Sequence, residues 1–217
     1  MRAAIFDLDG TLVDNMSVHA DAWATLSSRH GLAVPRDRFL LEFAGRKNEE
    51  IIADLWPGHD ESFALRLASE KEALYRELYR PRLAPLAGLL PFLDALAAAG
   101  VPLAIASAAP ALNRALVLDG LGLRRRFVKV IGAEDAKRGK PFPDIFLAAA
   151  AALGVPPGGC VAFEDALFGV EAAVAAGMPT AAVTTSQPEA ALRRSGARWV
   201  MKDFTELPRE LGAALGM

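Results

Sequence analysis

Six short, mostly apolar runs, at residues 3–6, 103–106, 128–131 (interrupted by Lys129), 161–163, 180–183 and 199–201, each give way to a polar or turn-forming residue. Strands this short and apolar on both faces belong to a parallel sheet covered by helices on each side. Helical patterns fill the intervals. Leu89, Leu90, Leu93 and Leu96 recur at helical spacing ahead of Gly100, the run 145–153 stops at Gly154, and 170–176 stops at Gly177. The alternation predicts an α/β fold, a doubly wound parallel sheet of Rossmann-like type whose ligands lie at the carboxyl ends of its strands.

One stretch breaks the alternation. From about Asn15 to Arg80, directly after the first strand and turn, the chain reads as all helix: Val18, Ala22 and Leu26, then Phe63, Leu67, Leu74 and Leu78, sit at helical intervals. Gly31, Pro35, Gly45, Pro57 and Gly58 mark its breaks. The expected organisation is a core domain of residues 1–14 and 86–217, with a small helical domain at 15–85 that can open and close over a site. At 217 residues the chain suffices for one or two domains.

Composition narrows the function classes. With 53% hydrophobic residues the chain is not disordered, and 24 Lys plus Arg against 26 Asp plus Glu weaken a nucleic-acid reading, which needs a strongly basic face. A single cysteine, Cys160, permits no intrachain disulfide and is expected to be a small buried side chain. Arg2, Asp7 and Asp9 break any signal-peptide apolar region, so a cytoplasmic setting is expected. Two windows, 95–113 and 145–163, hold 19 residues each without a charge, but Gly100, Pro102 and Pro110 cut the first and the run from Gly154 to Gly159 cuts the second. Each should divide into helix, turn and strand.

The chemistry concentrates at strand ends. Asp7 and Asp9 follow the first strand, and Glu164 and Asp165 follow the run 161–163. If those strands are neighbours, four acids converge, and their repulsion calls for a cation. An oxygen donor set suits magnesium. No softer site competes, since His19, His30 and His59 all lie in the helical insertion. Ser107 follows another strand, and Lys140 sits in a turn stiffened by Pro141 and Pro143. A hydroxyl, nearby amides and an ammonium can hold the oxygens of a transferring phosphoryl group.

In this order, Phe6-Asp7-Leu8-Asp9-Gly10-Thr11-Leu12-Val13-Asp14, Ser107, Gly139-Lys140-Pro141-Phe142-Pro143-Asp144 and Phe163-Glu164-Asp165-Ala166 with Gly169 resemble the haloacid dehalogenase superfamily of phosphohydrolases. The resemblance runs from the first strand to about Val183. It implies a core of that family with a helical cap, and an Asp7 nucleophile that forms an aspartyl-phosphate. Asp9 would be the general acid and base. Asp7, Asp165 and the Asp9 carbonyl would hold Mg2+, with Glu164 a further ligand or an outer acceptor. Ser107 and the Ala108 amide would bind phosphoryl oxygens, and Lys140 would neutralise phosphate and Asp7.

The insertion's position is like that of capped members. Its candidate substrate residues, His19, Trp23, Gly45, Arg46 and Lys71, resemble those of the beta-phosphoglucomutase-like subgroup, and Asn113 of the core is a further candidate. A phosphatase acting on a small phosphorylated metabolite, with sugar phosphates in that class, is the expected function. The alternative is a phosphosugar mutase, whose relatives resemble one another in an Arg three residues after the cap-loop glycine. Here that place is Asn48 after Gly45, and Arg46 or Lys47 would have to substitute. An inactive binding protein is the third reading, opposed by the presence of every core residue. A dehalogenase is opposed by Asp9. The expected partner is the metabolite alone, with neither nucleic acid nor membrane, and the sequence is compatible with a monomer.

Overall fold

The computed structural model describes residues 2–43 and 46–217. Gly45 of the sequence reading lies outside the described residues. By contact density the chain forms two compact units, Met1–Asp14 with Ala84–Met217, and Asn15–Leu83.

The first unit is a six-stranded parallel sheet. Its strands are β1 (Ala3–Phe6), β2 (Leu103–Ala106), β3 (Lys129–Ile131), β4 (Cys160–Glu164), β5 (Thr180–Val183) and β6 (Trp199–Met201), in the spatial order β3-β2-β1-β4-β5-β6. This is the doubly wound α/β arrangement read from the sequence. Strand order reverses direction between β1 and β4, the switch point where open α/β sheets place their ligands. The expected strands are all present, with β3 starting one residue later and β4 extending by one residue at each end to take in Cys160 and Glu164.

Side-chain alternation gives the two sheet faces different characters. Ala3, Ile5, Ala104, Ala106, Cys160 and Ala162 share one cluster with Phe146, Ala149, Ala150, Ala172 and Ala173, so small side chains let the helices Asp144–Leu153 and Leu167–Ala175 approach closely. The alternate positions carry bulk. Phe6 and Phe163, paired in register across β1 and β4, stack with ring centroids 4.4 Å apart, and Phe92, Phe127 and Phe204 pack edge-on or tilted around Phe6. Cys160 is fully buried, and burial pushes its thiol up to about 11. Both uncharged windows divide as expected: the helix Leu89–Ala98 leads into β2 and the helix Ala111–Gly120, and Asp144–Leu153 leads into β4. Among the described residues no helix is long and apolar enough to cross a membrane.

The second unit is helical, as its periodicity predicts. Met16–Arg29, Asn48–Leu55 and Glu61–Tyr79 are its main helices, with a short helix at Arg36–Arg38 running into a wider π-type turn at Phe39–Phe43. The Asp60 carboxylate caps the longest helix by accepting from the Phe63 amide at 2.9 Å. Leu67, Ala68, Lys71, Leu74, Tyr75 and Tyr79 form its buried stripe.

Candidate active site

The switch point is where the acids meet. β1 is hydrogen-bonded to β2 on one side and β4 on the other, so the segments after Phe6, Ala106 and Glu164 leave the sheet together. The Asp7 amide donates to the Phe163 carbonyl at 2.9 Å, which sets Asp7 beside the end of β4. Asp7, Glu164 and Asp165 are all buried, and each offers a carboxylate oxygen within 4.8 Å of the others. Lys140, whose side chain is 7% exposed, donates to Asp7 Oδ1 at 2.6 Å and to Glu164 Oε1 at 2.5 Å. Residues far apart in sequence, at 7, 140, 164 and 165, thus form one constellation. Asp9 is half-buried, two residues beyond Asp7.

Two glycines make room for the acids. Gly10 has φ +82°, and a Cβ there would lie 2.0 Å from Asp165 Oδ2, so neither backbone nor space admits another residue. A Cβ on Gly169 would meet the Glu164 carboxylate at 2.0 Å. Glu164 is also held by the chain itself, since its Oε2 accepts from the amides of Asp165 at 2.9 Å and Ala166 at 3.2 Å. With Lys140 on the other oxygen, both Glu164 oxygens are engaged, which suits a carboxylate that aims Lys140. Asp165 is oriented by hydroxyls. Thr11 Oγ1 donates to its Oδ1 at 3.3 Å, Ser186 Oγ donates to its Oδ2, and the neighbouring Thr185 donates to the Gly10 carbonyl at 2.5 Å. Sequence reasoning missed Thr185 and Ser186. The visible signal was three consecutive hydroxyl residues, Thr184 to Ser186, directly after β5.

Electrostatics mark the site as short of positive charge. Burial raises Asp7, Lys140 partly offsets this, and the Glu164 and Asp9 charges raise it further, so the carboxyl is pushed up to about 8. Asp165 is likewise raised, by burial first and then by Glu164 and Asp7. Lys140 is held above its ordinary range because its two carboxylate partners outweigh its burial. Among the described residues the cluster gathers three carboxylates around the Lys140 ammonium. A divalent cation would redress that balance, and the all-oxygen donor set fits a hard ion.

The loop after β2 carries the phosphate-binding candidates. Ser107 is 2% exposed, its amide donates to the Ile131 carbonyl at 3.1 Å, and its Oγ accepts from the Ala109 amide at 3.1 Å. Ala108 between them is exposed. Asn113 is wholly buried in the first turn of Ala111–Gly120, where Pro110 takes the capping position.

Three of the insertion's candidates, His19, Trp23 and Lys71, form a cluster inside the second unit. His19 stacks on Tyr75 at 3.9 Å, and its Nδ1 lies 2.8 Å from Lys71 Nζ. Lys71 Nζ donates to Glu72 at 2.8 Å and sits 5.6 Å from the centroid of the buried Trp23 ring. Asn48 donates to Glu72 at 2.6 Å. Burial would lift the Glu72 carboxyl, but Lys71, His19 and Asn48 outweigh it and hold it at about 2. Arg46 is paired with Asp54 at 2.8 Å and Glu50 at 3.9 Å.

Residues 1–177 match the model of a haloacid dehalogenase-like hydrolase. The chain is 34% identical over 210 residues to a validoxylamine A 7'-phosphate phosphatase of Streptomyces hygroscopicus subsp. limoneus, covering 95% of each. It is 30% identical to the beta-phosphoglucomutase of Bacillus subtilis, covering 97% of this chain and 93% of that one. A haloacid dehalogenase hydrolase of family IA, variant 3, from Entamoeba histolytica superposes with a TM-score of 0.90 at 28% identity, over the whole of both chains. The chain therefore belongs to the haloacid dehalogenase-like hydrolase family, in its beta-phosphoglucomutase-like subgroup.

Proposed function

We propose that this protein is a magnesium-dependent phosphatase of a small phosphorylated metabolite, sugar phosphates among them, working through an aspartyl-phosphate on Asp7. The observation that carries the reading is the buried Asp7 carboxylate at the switch point, paired with Lys140 at 2.6 Å and clustered with Glu164 and Asp165.

In this reading an Asp7 oxygen attacks phosphorus and the ester P–O bond breaks, while Asp9 gives its proton to the departing oxygen. Water then attacks the same phosphorus and passes its proton to Asp9. The Asp7–phosphorus bond breaks, releasing inorganic phosphate and restoring both carboxyl groups. Ser107 donates its hydroxyl proton, and Ala108 its amide, to phosphoryl oxygens. Lys140 balances the charge that gathers on those oxygens and on Asp7. The side chains of Asp7 and Asp165 and the carbonyl of Asp9 would hold magnesium, with Glu164 aiming Lys140. When bound, the ion supplies Lewis-acid polarisation of a phosphoryl oxygen.

The mutase reading shares every core residue and has support in the Bacillus subtilis relative. A mutase must also grip a second, non-transferring phosphate. In the helical unit Lys71 is paired with Glu72, Arg46 with Asp54, and the place of the mutases' arginine is taken by Asn48, itself bonded to Glu72. Cations already neutralised by carboxylates favour a substrate with one phosphate.

The test is a screen of phosphorylated metabolites with magnesium, measuring free phosphate and, for beta-glucose 1-phosphate with its bisphosphate activator, isomer conversion. Magnesium-dependent phosphate release that a chelator abolishes is expected; isomer conversion without phosphate release would install the mutase. Asp9→Asn separates the two half-reactions. With a phenolic ester, whose leaving group needs no proton, the variant is expected to give a stoichiometric burst of phenol followed by turnover slowed about 100-fold or more. Steady release at the wild-type rate would remove Asp9 from the acid–base role.

A further inference from the structure

Arg114 is a buried cation that the reaction above does not use. It lies in the helix Ala111–Gly120 with its side chain only 8% exposed, yet it reaches two loops. Its Nη1 donates to the Ala109 carbonyl at 2.6 Å and to Glu134 Oε2 at 3.1 Å, and its Nη2 pairs with Glu134 Oε1. Glu134 is on the surface, with 58% of its side chain exposed, and Arg114 holds its carboxyl below the ordinary range. The Ala109 peptide is thus gripped at both ends, because its amide donates to Ser107 Oγ while its carbonyl accepts from Arg114.

We propose that Arg114, anchored from outside by Glu134, is a positioning residue that holds the Ser107–Ala109 loop in the shape that receives the phosphoryl group. The inference rests on the role proposed above for Ser107 and Ala108. The line of force runs from Glu134 through Arg114 and the Ala109 peptide to the Ser107 hydroxyl. A guanidinium suits the task because its planar fork serves a carboxylate with two nitrogens and still spares a proton for the carbonyl. Gly132 supports the same device. Its φ of −105° is open to any residue, but a Cβ there would lie 2.3 Å from Arg114 Nη1 and 2.2 Å from Glu134 Oε2. What glycine provides at this position is room for the ion pair.

Three variants test the strap. Glu134→Ala removes the exposed anchor, Gly132→Ala displaces the pair without changing any charge, and Arg114→Lys keeps a donor for Ala109 while losing the fork. Each is expected to raise KM and the inhibition constant of orthovanadate together by about tenfold, with kcat changing less, since misplacement by a fraction of an ångström suffices. Arg114→Lys should be the mildest. If all three lower the melting temperature while KM and the orthovanadate constant stay at wild-type values, the role is structural and the proposal falls. Amide hydrogen exchange judges it independently of turnover: protection at Ala109 should drop about tenfold or more in Glu134→Ala and Gly132→Ala, with Leu116 to Leu118 unchanged. Unchanged Ala109 protection would overturn the strap. A wild type that neither hydrolyses phosphate esters nor binds orthovanadate, yet loses Ala109 protection in the variants, would retain the strap and overturn the phosphatase reading instead.

Discussion

Asp7→Asn is expected to lower phosphate release by a factor of about 10⁴ to 10⁶, the scale on which loss of a covalent nucleophile is felt. The substitution keeps shape and removes only charge and nucleophilicity. Its effect on the fold should be small or favourable, because the native carboxyl is already pushed up to about 8 by burial and by its acidic neighbours. A group whose pKa is raised on folding opposes folding once the pH exceeds its unfolded value, near 3.8. In metal-free protein the opposition therefore grows as pH rises from about 4 towards 8, and the amide, which cannot ionise, escapes it. Asp7→Asn should accordingly melt at or above the wild-type temperature at pH 8 in chelator, and the wild type should lose more stability than the variant between pH 5 and 8. A phosphate adduct on the Asp7 peptide, trapped by acid quench during wild-type turnover and absent in Asp7→Asn, is the direct readout. An Asp7→Asn enzyme with substantial magnesium-dependent activity would place the covalent chemistry on another residue.

The parts of the protein legible in its sequence were those where a local rule has one outcome. A four-residue apolar run such as Ala3–Phe6, closed by Asp7, fits a strand buried on both faces in a covered parallel sheet, so the strand and the polar residue at its end were legible together. The same argument located β4 with Glu164 and Asp165, whereas the Lys140 turn was marked by its prolines, Pro141 and Pro143. Side-chain hydrogen bonds between distant loops follow no such rule. The hydroxyl run Thr184 to Ser186 marks a polar strand end but not that Ser186 meets Asp165, 21 residues earlier, and nothing in the helical pattern around Arg114 tells that its guanidinium reaches Glu134 and not water. Such partners depend on loop geometry that strand order alone leaves open. The helical unit follows no such rule. His19, Trp23 and Lys71, candidates for contact with a ligand, form within that unit a mutual cluster with Tyr75 and Glu72. Four residues of helical spacing put His19 and Trp23 on one face, but spacing carries no information on whether a face meets ligand or neighbouring helix.

Lys140→Met should combine a loss of activity with a loss of stability, and the combination is diagnostic. The methionine preserves most of the volume against the Phe146 ring, which Lys140 Nζ approaches to 5.1 Å. It removes the cation that bridges Asp7 and Glu164. Loss of one preorganised electrostatic group costs about 10²- to 10³-fold in turnover. Leaving its carboxylate partners buried and unpaired costs about 3–5 kcal/mol. Both penalties act through the carboxylates, so they should shrink when a carboxylate is neutralised first. In an Asp7→Asn background the stability cost of Lys140→Met should fall by about 1 kcal/mol or more, since residues in one charge network do not contribute additively. Glu164→Gln should relieve the cost in the same direction. Urea melts of the two single variants, the double variant and the wild type, all in chelator, give the coupling directly. Additivity to within about 0.5 kcal/mol would mean that Lys140 does not act on Asp7 through charge. Magnesium offers a second check on the same physics: a bound divalent cation neutralises the acids that Lys140 otherwise serves alone, so saturating magnesium should return part of the stability lost in Lys140→Met while turnover stays low.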